Sequence, residues 1–167
     1  MKAIAPVLGV TAMAVLLASC GGGSEEPAAT EEAAPAATEA TTAAAPEAPA
    51  ADNTETVDGT TLADFTPDAA KGAQVFVQCK TCHVTDPGQN RTGPSLAGIV
   101  GREAGKVEGF NYTPANANSG ITWTKEKMFQ YLENPQRVVP GTKMAFAGLK
   151  AGQDRADVIA YLENPTQ

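Results

Sequence analysis

Residues Gln78 to Val84, QCKTCHV, hold two of the chain's three cysteines and its only histidine. Four chemistries use thiols at this spacing. A zinc site needs four ligands, and no second histidine exists, while the third cysteine, Cys20, lies far upstream. A redox-active Cys-x-x-Cys pair sits where a strand passes into a helix, with the motif opening the helix. Here a helical pattern runs up to the motif and stops at it. A structural disulfide across two intervening residues is uncommon. Haem attachment fits best: in Cys-x-x-Cys-His, two thiols at a helix end reach the two vinyl groups on one porphyrin edge and form thioethers. The adjacent imidazole of His83 then points at the iron.

A six-coordinate iron needs one more ligand, and methionine is the only soft donor left. Of the four methionines, Met1 and Met13 fall in the N-terminal leader. Met128 sits mid-helix on an apolar face, which is a core position. Met144 lies in VVPGTKMAFAG, a loop stiffened by Pro140 and Gly141. The vacancy and the rigid loop select Met144.

Elements that must position these residues are few. Thr66-Pro67-Asp68 reads as a helix start, with a hydroxyl cap, proline in the first turn and an acid behind it. Gly72, Val75 and Phe76 then fall on one helical face before Cys79. From Asp86 to Thr122 the chain is glycine-rich loop. Thr124 caps a second helix through Leu132, with Met128, Tyr131 and Leu132 facing inward, and Asn134-Pro135 stops it. A last helix spans about Gln153 to Glu163. YLENP occurs at 131–135 and again at 161–165, one helix-ending solution used twice. The fold class is all-α: three to four helices with long loops. Aromatics are only 5% of the chain, so the core is thin. A small loop-rich domain of this kind needs a staple, and a haem disc would supply it.

Charge divides the chain. From Gly21 to Thr61 there are nine acidic residues and no Lys or Arg, whereas 62–167 carries ten acidic and eleven basic residues. No basic stripe marks a nucleic-acid partner. Residues 1–19 read as a secretory signal ending in Leu17-Ala18-Ser19-Cys20. That end resembles the lipobox of bacterial lipoproteins, in which the cysteine is lipidated and becomes the first mature residue; alternatives are an ordinary cleaved signal or an uncleaved anchor. Residues 20–61 are Ala, Pro, Glu and Thr with almost no large apolar side chains. Such a segment cannot offset the entropy of ordering, so it is expected to be a disordered tether ending where a 62–167 domain begins.

TGPSLAGIVGREAGKVEGFNYTPANANSGITW, YLENP and VPGTKMAFAGL together resemble the class I c-type cytochromes, the mitochondrial-type cytochromes c and their bacterial counterparts. The resemblance runs from about Asp68 to Leu162. It implies one haem c on Cys79 and Cys82, with His83 and Met144 as axial ligands and the Pro94 carbonyl accepting from the histidine. It also implies a shell of Arg102, Tyr112, Thr113, Asn116, Trp123 and Thr142 around the haem propionates, with Tyr131 near the methionine sulfur. Gly72, Phe76, Val158 and Tyr161 match a crossing of first and last helices. Two segments, Phe76–Cys79 and His83–Thr92, are each one residue shorter than in mitochondrial members. Those relatives are basic around the haem edge; here Lys80, Lys143 and Lys150 are the candidates. The implied function is a monomeric one-electron carrier, not an enzyme, shuttling between a cytochrome bc-type complex and a terminal oxidase; the alternative is a fixed electron-entry haem subunit of an oxidase, reductase or dehydrogenase complex. With lipid on Cys20, the implied location is the periplasmic side of a bacterial membrane.

Overall fold

The structure, a computed structural model, describes residues 47–165; the expected signal, Cys20 and the first part of the tether lie outside them. Among the described residues the order is a 3-10 turn (Leu62–Asp64), α1 (Ala69–Val75), a 3-10 turn (Phe76–Gln78), α2 (Pro114–Ala117), α3 (Lys125–Glu133), α4 (Pro135–Val138) and α5 (Gly152–Glu163). The one β-feature described is an isolated antiparallel bridge, Glu103 to Thr122, which closes the long glycine-rich loop. The all-α reading holds.

α1 crosses α5, and α3 packs on α5. The crossing has a single sequence cause. A Cβ placed on Gly72 would stand 1.9 Å from the Asp157 carbonyl oxygen, so the two backbones touch there. Beside it, Phe76 and Tyr161 are both buried with ring centroids 5.1 Å apart. Phe129, Val158, Ile159 and Leu162 complete the apolar seam.

Helix ends differ from the sequence expectation in detail. Asp68, not Thr66, caps α1: its carboxylate accepts from the Ala70 and Lys71 amides at 2.9 and 3.2 Å. One carboxylate oxygen, Oδ1, thus satisfies two of the free first-turn amides. The Asp68 amide in turn donates to Asp157 Oδ1 at 2.7 Å, tying the start of α1 to α5. Asp68→Ala removes the cap and is expected to lower stability by about 1 kcal/mol, read as a lower urea midpoint at unchanged slope. Thr124 caps α3 as expected, accepting from the Lys127 amide. Asn134, read as a stop, also starts something: its side chain accepts from the Arg137 amide and Pro135 occupies the first turn of α4.

The larger correction concerns the tether. Residues 50–61 are not free chain but a strap laid along the outer face of α3 and the start of α5. Lys127 Nζ donates to the Ala50 and Asn53 carbonyls at 3.0 and 2.8 Å. The Gln130 amide donates to Asn53 Oδ1 and to the Glu55 carbonyl, each at 2.8 Å. Asp58 pairs with the fully buried Arg155, whose guanidinium also lies 4.3 Å above the Phe129 ring. Among the described residues, the fold therefore takes in 50–61 as well as the chain from Leu62 onward. The partners are polar and come from helices more than 70 positions away, so apolar content in the strap itself was a poor guide.

Candidate functional site

α1 delivers the Cys79–His83 motif through the 3-10 turn at Phe76–Gln78. The Cys79 amide donates to the Phe76 carbonyl, and the Cys82 and His83 amides both return to the Cys79 carbonyl, at 3.1 and 2.9 Å. The motif is thus one tight turn at a helix end. Across from it, the Gly93 amide donates to the Cys82 carbonyl at 2.8 Å, and His83 Nδ1 lies 2.8 Å from the Pro94 carbonyl oxygen. A carbonyl can only accept, so Nδ1 carries the proton and Nε2 keeps its lone pair. Burial pushes the His83 pKa down, partly opposed by the Pro94 bond, which keeps the ring neutral at neutral pH. Gly93, just before Pro94, carries no local signal of a role in the sequence. A Cβ there would stand 2.4 Å from His83 Cε1, so the ring rests directly on the glycine backbone. Gly93→Ala should tilt the imidazole off Pro94 and destabilise the protein by about 1–3 kcal/mol. An unchanged urea midpoint would refute that packing.

Met144 arrives on the loop between α4 and α5. Tyr131 of α3 donates its hydroxyl to Met144 Sδ at 3.2 Å. Burial raises the Tyr131 pKa, with a Thr142 hydrogen bond opposing, so the phenol remains a donor. A thioether sulfur is a weak acceptor with two lone pairs; tyrosine takes one and leaves one. Gln136 holds the loop from outside, its amide donating to the Thr142 and Met144 carbonyls, both at 3.2 Å. Thr142 Oγ1 accepts from the Met144 amide. Gln136 carried no signal in the sequence beyond following Asn134-Pro135.

Between these two elements lies a cavity of about 280 Å³. Cys79, Cys82, His83 and Met144 line it, and so do Pro94, Arg102, Tyr112, Thr113, Asn116, Trp123, Tyr131 and Thr142. Every ligand, thioether and shell residue named from the sequence comes to this one space, whereas Gly72, Tyr161, Lys80 and Lys150 do not line it. Leu96, Ile99, Phe110 and Phe146 line it too, unremarked from sequence, as does Met128, which is also 5% exposed core. Arg102 is pinned by bonds to the Ala97 and Ser95 carbonyls at 2.8 and 3.0 Å. Burial lowers its pKa and nearby Tyr112 raises it, and a guanidinium stays charged regardless. Thr113 caps α2. Trp123 packs 4.7 Å from Tyr131, ring to ring. Lys143 is held over the Phe110 ring at 4.7 Å and bonded to the Asn111 carbonyl, while Lys150 reaches the Glu133 carbonyl. Of the three lysines expected around the edge, two are engaged.

The donor set matches a large flat apolar ligand with a polar edge. The walls are aliphatic and aromatic, and the thiols stand at one side. Asn116 Oδ1 is buried with no partner. An unpartnered buried acceptor is expensive; what it lacks is a donor, and a water held by a haem propionate would supply one, since the propionate oxygens themselves only accept. The thiols do not suit a dithiol redox pair. Burial, reinforced by the charge of Cys82, pushes Cys79 up to about 11, whereas such pairs depend on a lowered thiol pKa. One half-buried imidazole, one thioether and two thiols around an apolar disc-shaped space are chemistry for covalent haem.

Comparison with known proteins agrees. The cytochrome c family model matches residues 69–165. A cytochrome c 2.1 of Caenorhabditis elegans is 53% identical over 97 residues, covering 58% of this chain and 87% of that protein. Cytochrome c2 of Blastochloris viridis is likewise 53% identical over 97 residues, covering 58% of this chain and 76% of its own length. Among solved structures, cytochrome cH from Methylobacterium extorquens superposes with a TM-score of 0.55 at 41% identity, over 57% of this chain and 97% of that one. None of these stretches accounts for the N-terminal third. With the matched region spanning the pocket from α1 to α5, the chain belongs to the cytochrome c family, a haem-based electron carrier with one haem c bound covalently through Cys79 and Cys82.

Proposed function

We propose that this cytochrome is a membrane-tethered, one-electron shuttle between respiratory complexes, in which His83 Nε2 and Met144 Sδ would ligate the haem iron. The observation that carries the ligand assignment is the pair of outer bonds: Nδ1 of His83 is spent on Pro94 and one lone pair of Met144 on Tyr131. Each donor is thereby oriented with a single remaining lone pair, the arrangement that fixes a metal ligand and tunes its basicity. The bound haem supplies Fe(III)/Fe(II) exchange. The chain excludes water from it, holds both ligands in place in either state and keeps any substrate from a coordination position. Histidine with methionine is also the pair that raises a haem potential.

The tether and partners rest on sequence. A lipidated Cys20 would place the domain at the periplasmic face of a bacterial membrane, near a cytochrome bc-type donor and a terminal oxidase. Residues 62–167 carry ten acidic and eleven basic residues, so charge steering toward partners is weak. Tethering raises local partner concentration without any charge complementarity. The test is electron flow from quinol to oxygen in membrane vesicles from cells expressing the full chain or Cys20→Ser. The variant should leave the membrane fraction and lose roughly 100-fold in rate at equal haem. Equal rates and equal partitioning would remove the tether from the function, and co-purification of the wild type with one large complex would favour a docked subunit.

A further inference from the structure

Glu133, the last residue of α3, joins two parts of the molecule that are far apart in sequence. Its side chain belongs to the strap. The Val57 and Asp58 amides donate to its two carboxylate oxygens at 2.6 and 2.9 Å, and Arg155 Nη1 lies 3.1 Å from one of them. The residue is only 4% exposed. Its backbone belongs to the methionine loop. A Cβ on Gly148 would stand 2.0 Å from the Glu133 carbonyl oxygen, so the returning loop lies directly on that carbonyl. Next to it the Leu149 amide donates to the Leu132 carbonyl at 2.7 Å.

We propose that the 50–61 strap is a positioning element for Met144, acting through Glu133 to hold the C-terminal turn of α3 on which the methionine loop is seated. This rests on the reading of Met144 as the axial ligand. The physical basis is the state of the carboxylate. With the strap docked, Glu133 accepts charge-assisted bonds from two backbone amides and faces the Arg155 guanidinium as an ion pair, whose Nη1 makes no hydrogen bond of its own. Arg155, 0% exposed, is itself shared between Glu133 and Asp58. Release of the strap leaves both ions short of partners, and water must enter to solvate them. The turn that rehydrates is the one whose carbonyls receive Gly148 and Leu149, so the loop opens more often in the otherwise folded protein. The strap and the pocket contact different faces of α3. Lys127, Gln130 and Glu133 meet the strap, whereas Met128, Tyr131 and Leu132 line the cavity. The effect on Met144 must therefore travel through the helix end, not through direct contact.

The test uses the full-length holoprotein and Asp58→Ala, which removes the strap's pairing with Arg155 and touches no pocket residue. Two readouts are taken without denaturant: the affinity of ferric protein for imidazole, which competes with the sulfur, and the amide exchange rate of Leu149 in reduced protein. Both are expected to rise roughly fivefold, a coupling of ordinary size between two parts of one molecule. Lys127→Met, which frees the other end of the strap without touching Glu133, is the comparison and should move both readouts less. A lower urea midpoint with unchanged imidazole affinity and unchanged Leu149 exchange would reduce the strap to a stabilising element and overturn the proposal; so would a larger effect from Lys127→Met. If Asp58→Ala fails to accumulate, Asp58→Asn, of the same shape, is read by the same criteria. A wild-type ferric spectrum without the weak far-red band of sulfur-ligated haem would refute the ligand reading instead, and Leu149 exchange would then decide the strap's coupling by itself.

Discussion

Gly72→Ala should destabilise the protein by about 2–3 kcal/mol or more, although the substitution improves helix propensity by about 1 kcal/mol. The sign is decided by the crossing. The added methyl would stand 1.9 Å from the Asp157 carbonyl oxygen and 2.9 Å from Tyr161 Cβ. Neither is the far end of a flexible side chain, so α1 and α5 must move apart as bodies. Separation opens the Phe76–Tyr161 contact and stretches the bond from the Asp68 amide to Asp157. Because α1 carries Cys79, Cys82 and His83, the shift also pulls the motif from its seat beside Gly93 and Pro94. A urea melt of the holoprotein checks the stability. A midpoint equal to or above wild type would mean that the helices are not held by this contact. Against a typical domain stability of about 5–15 kcal/mol, a loss of this size leaves a folded but visibly weakened protein.

Met144→Ala is expected to leave haem attached while changing its spectrum and potential. Thioether attachment uses Cys79 and Cys82 alone, so haem content should match wild type. Loss of the sulfur should abolish the far-red band. The reduction potential should fall on the order of 0.1 V or more, well within the ~0.8 V over which axial ligands set haem potentials. Tyr131→Phe makes a graded companion: it deletes the donor at 3.2 Å from Met144 Sδ but keeps the ring packing on Trp123, so the band should persist and the potential shift less. A Met144→Ala protein with an unchanged spectrum would show that another group completes the coordination. Met128 would then be examined next, as the other methionine on the cavity.

The two predictions divide between local and long-range information, and so does the rest of the molecule. Cys79, Cys82 and His83 were readable because their chemistry depends on spacing along one turn, which sequence states directly. The helices around α3 and α5 were readable from periodicity, and the ends of α3 from Thr124 and Asn134. The shell from Pro94 to Thr142 was readable only through resemblance, since nothing local marks Asn116 or Trp123 as facing one cavity. The cap of α1 was misplaced by two residues because Thr66 and Asp68 are both good caps, and the choice between them depends on Asp157 in α5.

The strap was the largest departure. Segments rich in Ala, Pro and Glu stay disordered when burial of their own apolar surface is the only force available. From Ala50 to Thr61 the driving interactions are carbonyls, amides and one aspartate, which satisfy buried groups on distant helices. The ordering is decided by Lys127, Gln130, Glu133 and Arg155, each nearly or fully inaccessible to solvent and each incomplete without the strap. Sequence alone determined that this chain carries a covalent haem motif, a helical domain and a long acidic N-terminal segment. Tertiary structure decided that the last twelve residues of that segment belong to the fold, because a buried charge takes its partner from whatever chain lies nearest in space, and that neighbour has no fixed place in the sequence.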